Sequence, residues 1–354
     1  MSLDLLIVLA CCILGLMAHG AGRSSWLGWV LRTIIGIFFV SEVLMCLGWS
    51  GEEINTRVGG AILSPAQWGF GITVSLGAST GALLFHQARL ALSYVLTVQD
   101  RIVSGDLFVA AFKRRDLLKT LTDAPILVPS SMPHLVAAWI FVTTVCFLLG
   151  SIDPASIEVP LLPIPVPVPL EQLLSYNGLG LVALAFCGVG VFVTRRPKEA
   201  VARLGWQKPT AAQVAIGVAL IFFTFAYDWA SSLITHHIEG NLASKLTNYN
   251  AGSFTAGGGF GPSLILALFT GLCAGVGEET LMRGALQPVF GILPAGVLHG
   301  LLHGQFSHAP VFLAQVAGWS VIMGIVRRYT NTTTTIIGHA GFNFLTTFLF
   351  AFNP

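Results

Sequence analysis

Charge is scarce in this sequence. Asp, Glu, Lys and Arg together make up 10% of its 354 residues, where an ordinary soluble domain carries about 25%. Hydrophobic residues reach 54% and mean hydropathy is +0.79, which excludes a water-soluble globular domain and leaves a polytopic membrane protein. The net charge of +2, with no long basic run interleaved with aromatics, argues against nucleic acid as a partner. Cysteine chemistry is missing too. Cys11, Cys12, Cys46, Cys146, Cys187 and Cys273 all fall in apolar runs without CxxC or zinc-finger spacing, which reads as packing rather than a disulfide framework. HExxH is absent, so the chain is not a zincin, and no Gly-Lys-Ser/Thr follows Gly257-Gly258-Gly259, so a phosphate loop is excluded. No Lys or Arg precedes the first apolar run, Leu3 to Met17. Despite the small-residue site Ala18-His19-Gly20, that run is expected to remain as a helix rather than leave as a signal peptide.

What the chain has is apolar segments of bilayer length. A helix crosses the hydrocarbon in about 20 residues. Spans are expected near 3–19, 27–48, 67–97, 134–151, 177–194, 211–235, 263–286, 291–304, 310–326 and 333–352. The expected fold is an all-α bundle of about ten transmembrane helices. The third segment is overlong and is read as tilted or as continuing into a surface helix. The eighth is short, with Pro288 before it and Pro294 near its start, consistent with a beginning as irregular backbone lining a cavity.

Lys and Arg concentrate in three loops: Arg101, Lys113, Arg114, Arg115 and Lys119; then Arg195, Arg196, Lys198, Arg203 and Lys208; then Arg327 and Arg328. Alternating ten spans puts all three on one side, which the positive-inside bias makes cytoplasmic. Both termini are then outside, and the plasma (cytoplasmic) membrane is the expected location. In the first loop Leu107, Phe108, Ala111, Phe112 and Leu118 share a face opposite the basic residues, suiting either a helix on an anionic leaflet or a solvated charged loop. Pro160, Pro163, Pro165, Pro167 and Pro169 favour an extended spacer. The segments before the second basic loop carry few ionisable residues and those after it carry many, so a boundary is placed near 205, separating residues 1–204, of no legible role, from residues 205–354.

The second region holds GEETLMRG at 277–284, HGLLHG at 299–304 and GHAGFN at 338–343. Ionisable groups in lipid are costly and by default mark a site. Glu279 and Arg283 are four apart and share a helix face, so Glu279 can neutralise the arginine. Glu278, rotated by about 100°, is left to face a cavity. His339 and Asn343 share a face, as do His299 and His303. Together such groups supply a base and hydrogen-bond donors for water activation. Packing roles are the competing reading for each group alone. Arg32, Glu42, His86 and Asp228 read as structural.

The ordered set EExxxR, a histidine closing an apolar run, then HxxxN resembles the CPBP intramembrane proteases, which include CAAX prenyl endopeptidases and bacteriocin-processing enzymes. The resemblance spans about 205–352. It implies a protease in which Glu278 activates water with help from His303, His339 and Asn343 stabilise the oxyanion, and Glu279 with Arg283 gives structural support. Two positions depart from the family pattern: His299 and Met282 stand where phenylalanine is usual. The motif register favours His303 over His299. Three protein ligands and a water would suit zinc, and Glu278, His303 and His339 could hold zinc or another divalent metal. Equally, a glutamate–histidine pair could act without one. The expected partners are the lipid bilayer and a peptide or membrane-anchored protein substrate. A proton-coupled carrier using the same residues, or a non-catalytic scaffold, is the alternative. The chain shows no internal repeat of the kind carriers usually carry.

Overall fold

The computed structural model describes residues 3–48, 65–106, 109–110, 126–152, 169–254 and 259–352. All of its regular structure is helical: α1 (Leu3–Gly20), α2 (Ser25–Gly48), α3 (Pro65–Leu83), α4 (His86–Val103) and α5 (Met132–Gly150), then α6 (Leu170–Gly188) and the short α7 (Pro197–Arg203). There follow α8 (Ala211–Ile238), α9 (Leu242–Ser253), α10 (Phe260–Phe290), α11 (Ile292–Leu301), α12 (Pro310–Tyr329) and α13 (Thr332–Phe352). Seven of these are long and apolar enough to cross a bilayer, namely α2, α5, α6, α8, α10, α12 and α13, while α1, α3 and α11 are shorter apolar helices. The protein is a polytopic membrane bundle.

Every expected span lands on a helix, but the third lands on two. The chain breaks after Leu83, where Leu84 and Phe85 donate to the carbonyls of Gly81 and Ala82, and α4 resumes as an amphipathic helix with Arg89, Ser93, Thr97 and Asp100 on its buried side. Four polar groups on one face suit a helix that packs along the bundle rather than one that spans. The amphipathic stretch of Leu107, Phe108, Ala111, Phe112 and Leu118, the basic residues 113–119, Pro160 to Pro167 and Gly257-Gly258 lie outside the described residues.

The described parts of the three basic loops gather at one end of the bundle. Asp106 accepts from Arg101 at 2.8 Å and from Arg328 at 2.6 Å, joining the first loop to the third. Thr332 donates through its hydroxyl to Leu204 (2.7 Å) and through its amide to Gly205 (3.2 Å), joining the second loop to the start of α13. Structural roles expected for buried polar residues are visible in Asp228, which accepts from Gln315 at 2.9 Å and ties α8 to α12.

The core at the basic end unites the two halves of the chain. Leu181, Ala185, Val189, Ala200 and Leu204 pack in one cluster with Leu281, Met282, Ala285 and Leu298. Glycines set the spacing. A Cβ on Gly275 would lie 2.5 Å from Ala340 Cβ, and one on Gly277 would overlap the Asn177 carbonyl, so α10 meets both α13 and α6 backbone to backbone. On α11, a Cβ on Gly296 would lie 2.7 Å from Val321 and one on Gly300 would lie 2.6 Å from the Leu313 carbonyl. Small residues at such seams allow the close approach that drives helix association in lipid.

Burial raises the pKa of Asp106, and the Arg101 and Arg328 guanidinium groups outweigh it, leaving the carboxyl below its usual range. A depressed carboxylate stabilises the fold above its unfolded pKa, and that stabilisation is lost as pH falls through the lower folded value. Thermal unfolding in detergent should therefore show wild type losing part of its stability below about pH 4, while Asp106→Asn starts lower at neutral pH and has a flatter acid limb. Superimposable limbs would mean that the pair contributes nothing.

Candidate active site

The glutamates sit where α10 is distorted. Residues Cys273–Glu278 and Thr280–Leu286 are wound as π-helix, a departure that recurs at functional sites. Gly271, Gly275 and Gly277 bring little intrinsic preference for α-helix, while the bilayer still requires each backbone group to find a partner. The wider winding meets both demands and sets two adjacent carboxylates toward α11 and α13.

Glu279 is fully buried. Its Oε2 lies 3.3 Å from Arg283 Nε and its Oε1 accepts from His339 Nδ1 at 3.0 Å. Arg283 is also fully buried and donates through Nη2 to Ser320 Oγ at 2.6 Å. The expected Glu279–Arg283 pairing is present, extended to α12 and α13. Glu278 is 16% exposed at its side chain. Its Oε2 is 2.7 Å from His299 Nε2 and 4.0 Å from His339 Nε2. His303, half-buried at the end of α11, has Nδ1 3.0 Å from the His299 carbonyl. Asn343 is half-buried on α13, one turn beyond His339.

The partners fix the proton positions in the neutral rings. Ser320 Oγ accepts from Arg283, which leaves its own proton for His299 Nδ1 at 2.9 Å. His299 then carries its proton on Nε2 and donates it to Glu278. His303 Nδ1 faces a carbonyl and His339 Nδ1 a carboxylate, and both of those oxygens only accept. The Nε2 atoms of His303 and His339 are therefore left as lone pairs. A buried relay thus runs Arg283–Ser320–His299–Glu278.

His299 is the residue that the motif reading set aside in favour of His303, yet it contacts Glu278 directly. The signal available in sequence was the four-residue spacing of the two histidines. Ser320 and Trp319 carried no signal: a serine and a tryptophan on an apolar helix look like packing. Trp319 meets the His339 ring edge-to-face at 4.9 Å and the His299 ring, tilted, at 5.7 Å, and its indole donates to Thr224 at 3.0 Å. From the far end, α9 braces the turn after His303. Lys245, buried with Glu239 at 2.6 Å, donates to the His308 carbonyl at 2.8 Å, and Tyr249 packs 4.4 Å from Phe306.

The donor set fits a divalent metal. Ligand atoms of Glu278, His299 and His303 lie within 4.8 Å of one another, a set that holds His299 in place of the expected His339. The cluster also has two carboxylates against one guanidinium. That imbalance in a low-dielectric interior favours a bound cation.

These features define a class: an all-helical integral membrane protein with a buried glutamate–histidine site shared by α10, α11 and α13. Residues 260–345 match the family model of Rce1-like proteins, described as type II CAAX prenyl endopeptidase Rce1-like. Over that segment the chain is similar to the Rce1-like CAAX endopeptidase domain of the CPBP type, a family of proteases. The matched segment contains Glu278, Glu279, Arg283, His303, His339 and Asn343. No curated protein and no solved structure matches the chain.

Removing one partner of a buried ion pair typically costs about 3–5 kcal/mol. Arg283→Ala and Glu279→Ala should each sharply reduce monodisperse protein on gel filtration, whereas Glu278→Gln should purify like wild type. Normal yields for all three would show that the pair is not structural.

Proposed function

We propose that this protein is an intramembrane endopeptidase that hydrolyses a peptide bond with water activated at Glu278. The observation that carries the reading is the hydrogen bond from His299 Nε2 to Glu278, backed by a relay that ends on a buried arginine. It aims the carboxylate, whose side chain stays 16% exposed.

In this reading a water between Glu278 and His303 gives its proton to the carboxylate as its oxygen attacks the scissile carbonyl. His303 Nε2, a lone pair, assists by accepting a hydrogen bond from that water. Glu278 then passes the proton to the departing amine, so the proton taken from water ends on the leaving group. His339 and Asn343 donate to the oxyanion. His339 can do so only with a second proton on Nε2, because its Nδ1 proton is committed to Glu279. Glu279 and Arg283 hold the frame. Glu278, His299 and His303 would be the residues to hold zinc or another divalent ion, which when bound would polarise the carbonyl and acidify water.

The finer topology belongs to the same proposal. Ten crossings, made by the seven long helices with α1, α3 and α11, put the basic loops in the cytoplasm and both termini outside a plasma membrane. His299 and His339 each lie seven residues from the basic-end start of their helices, about 10 Å at 1.5 Å per residue. The site is then in the inner half of the bilayer, suited to a peptide or membrane-anchored protein that enters from the cytoplasmic leaflet. Residues 1–204 act as a scaffold for the site-bearing domain of residues 205–354.

Membrane proteomes of cells with wild type and Glu278→Gln should differ in one accumulating uncut precursor. With that substrate, Glu278→Gln should lower cleavage by about 10²–10⁴-fold and Asn343→Ala by about 10²–10³-fold. His299→Ala should be at least as damaging as His303→Ala, since only His299 contacts the base directly. Cleavage at the wild-type rate by all of these folded variants would sink the protease reading and promote a carrier. Cysteines placed at Lys198 and Gly240 should label from opposite sides of sealed vesicles, and labelling from one side would overturn the topology.

A further inference from the structure

The basic end holds a second site, separate from the glutamates. Between α1, α5, α6, α10 and α11 lies a cavity of about 240 Å³, walled mainly by apolar side chains such as Ile140, Phe141, Leu184 and Leu286. It reaches Leu281 and Met282 on α10, but neither glutamate and none of the site histidines line it. At its basic end it adjoins a wider, more open cavity of about 470 Å³, with His19 and Pro133 lining both. This mouth is lined by Ser25, Ser130, Ser131, Thr194 and Arg32, and Arg195 and Arg203 line the apolar chamber behind it.

The charge here is one-sided. Among the described residues, no carboxylate lies within ion-pair distance of Arg32, Arg195 or Arg203. Arg195 donates to the Val189 carbonyl and Arg203 to the Gly284 carbonyl. Each of these contacts uses one of five guanidinium donors and neutralises nothing. His19 adds no acid: its Nε2 faces the Gly188 carbonyl and its Nδ1 the Thr194 hydroxyl. Next to Arg32, the buried Arg89 likewise has only carbonyl partners, those of Leu83 and Pro129. Trp29 lines the mouth, and it and Trp26, three residues before it on α2, stand 69% and 67% exposed, as indoles do at the headgroup level of a bilayer.

We propose that this paired cavity binds one anionic phospholipid of the basic-side leaflet, its phosphate held by Arg32, Arg195 and the mouth hydroxyls and an acyl chain in the chamber behind. An apolar chamber alone would accept any hydrocarbon. Arg32 in the mouth and Arg195 on the chamber wall, both uncompensated, select a negative headgroup, and basic pockets between transmembrane helices on the cytoplasmic side bind such lipids. The chain would lie against the faces of Leu281, Met282 and Ala285, and so fill the space behind the helix that carries both glutamates.

The full-length protein in a neutral detergent, titrated with phosphatidylglycerol or phosphatidylcholine and observed by native mass spectrometry, tests this. One phosphatidylglycerol should be retained in preference to phosphatidylcholine by about tenfold or more. The Arg32→Gln/Arg195→Gln double variant should lose that preference. Ala137→Phe, which narrows the chamber and leaves the arginines in place, should retain neither lipid. Melting curves identify any variant that fails to fold, and either variant alone decides the question. Glu278→Gln should retain lipid as wild type does, so failure of the protease reading leaves this result standing. Equal retention of the two lipids, or retention unchanged in both folded variants, would overturn the proposal. So would displacement of the lipid by inorganic phosphate, which would mark a headgroup-only anion site, or by a farnesylated peptide, which would mark a channel for a substrate's chain.

Discussion

The interaction on which this structure depends is the buried contact of Glu279 with Arg283 and His339. A guanidinium and a carboxylate, both fully removed from solvent, persist in a membrane interior only if each satisfies the other. Here the pair does more than cancel charge. Glu279 reaches α13 through His339, and Arg283 reaches α12 through Ser320 and, beyond it, His299 on α11. One ion pair on α10 therefore orients all three neighbouring helices. Lipid offers no hydrophobic drive for helices to associate, so packing and polar contacts of this kind set the arrangement. Glu278, next in sequence, inherits its direction from that framework.

Much of the fold was legible because a bilayer imposes a simple rule on sequence: apolar stretches of fixed length, with charge confined to loops or function. Ten apolar segments each yielded a helix, and the gathering of Arg101, Leu204 and Arg328 at one end follows from the alternation that the loops implied. The break after Leu83 escaped that rule because hydropathy averaged over 67–97 blends an apolar helix with an amphipathic one. The buried polar side of α4, with Arg89 and Asp100, was the local clue.

The site was legible in part for a similar reason. Glu279 and Arg283 share a face by spacing, and spacing survives from sequence to structure when the helix stays close to regular. His299 was harder. Motif register favoured His303, but contact is decided by how α11 rotates against α10, and that rotation is set by Gly296 and Gly300 against α12 rather than by any pattern within α11. Ser320 lies on a helix with no motif and becomes visible only when a buried arginine needs an acceptor. The family match at 260–345 covers the glutamate–histidine cluster, while Leu181, Ala185 and Leu204, which lie before it, pack directly behind α10.

The glycine seams divide the site in an unexpected way. Gly275 and Gly277 lock α10 to α13 and α6, and Gly296 with Gly300 lock α11 to α12. Close-packed contacts of this kind transmit strain rather than absorb it. Glu278, Glu279 and His339 thus ride on one stiff block, and His299, His303 and Ser320 ride on another. The Glu278–His299 contact lies on the joint between the blocks instead of within either, so its length measures how the blocks are set against each other. In mechanical terms that contact is, for the proposed protease, a clasp: a displacement large enough to admit a substrate between the blocks would also undo the hydrogen bond that readies the base, and closure would restore both together.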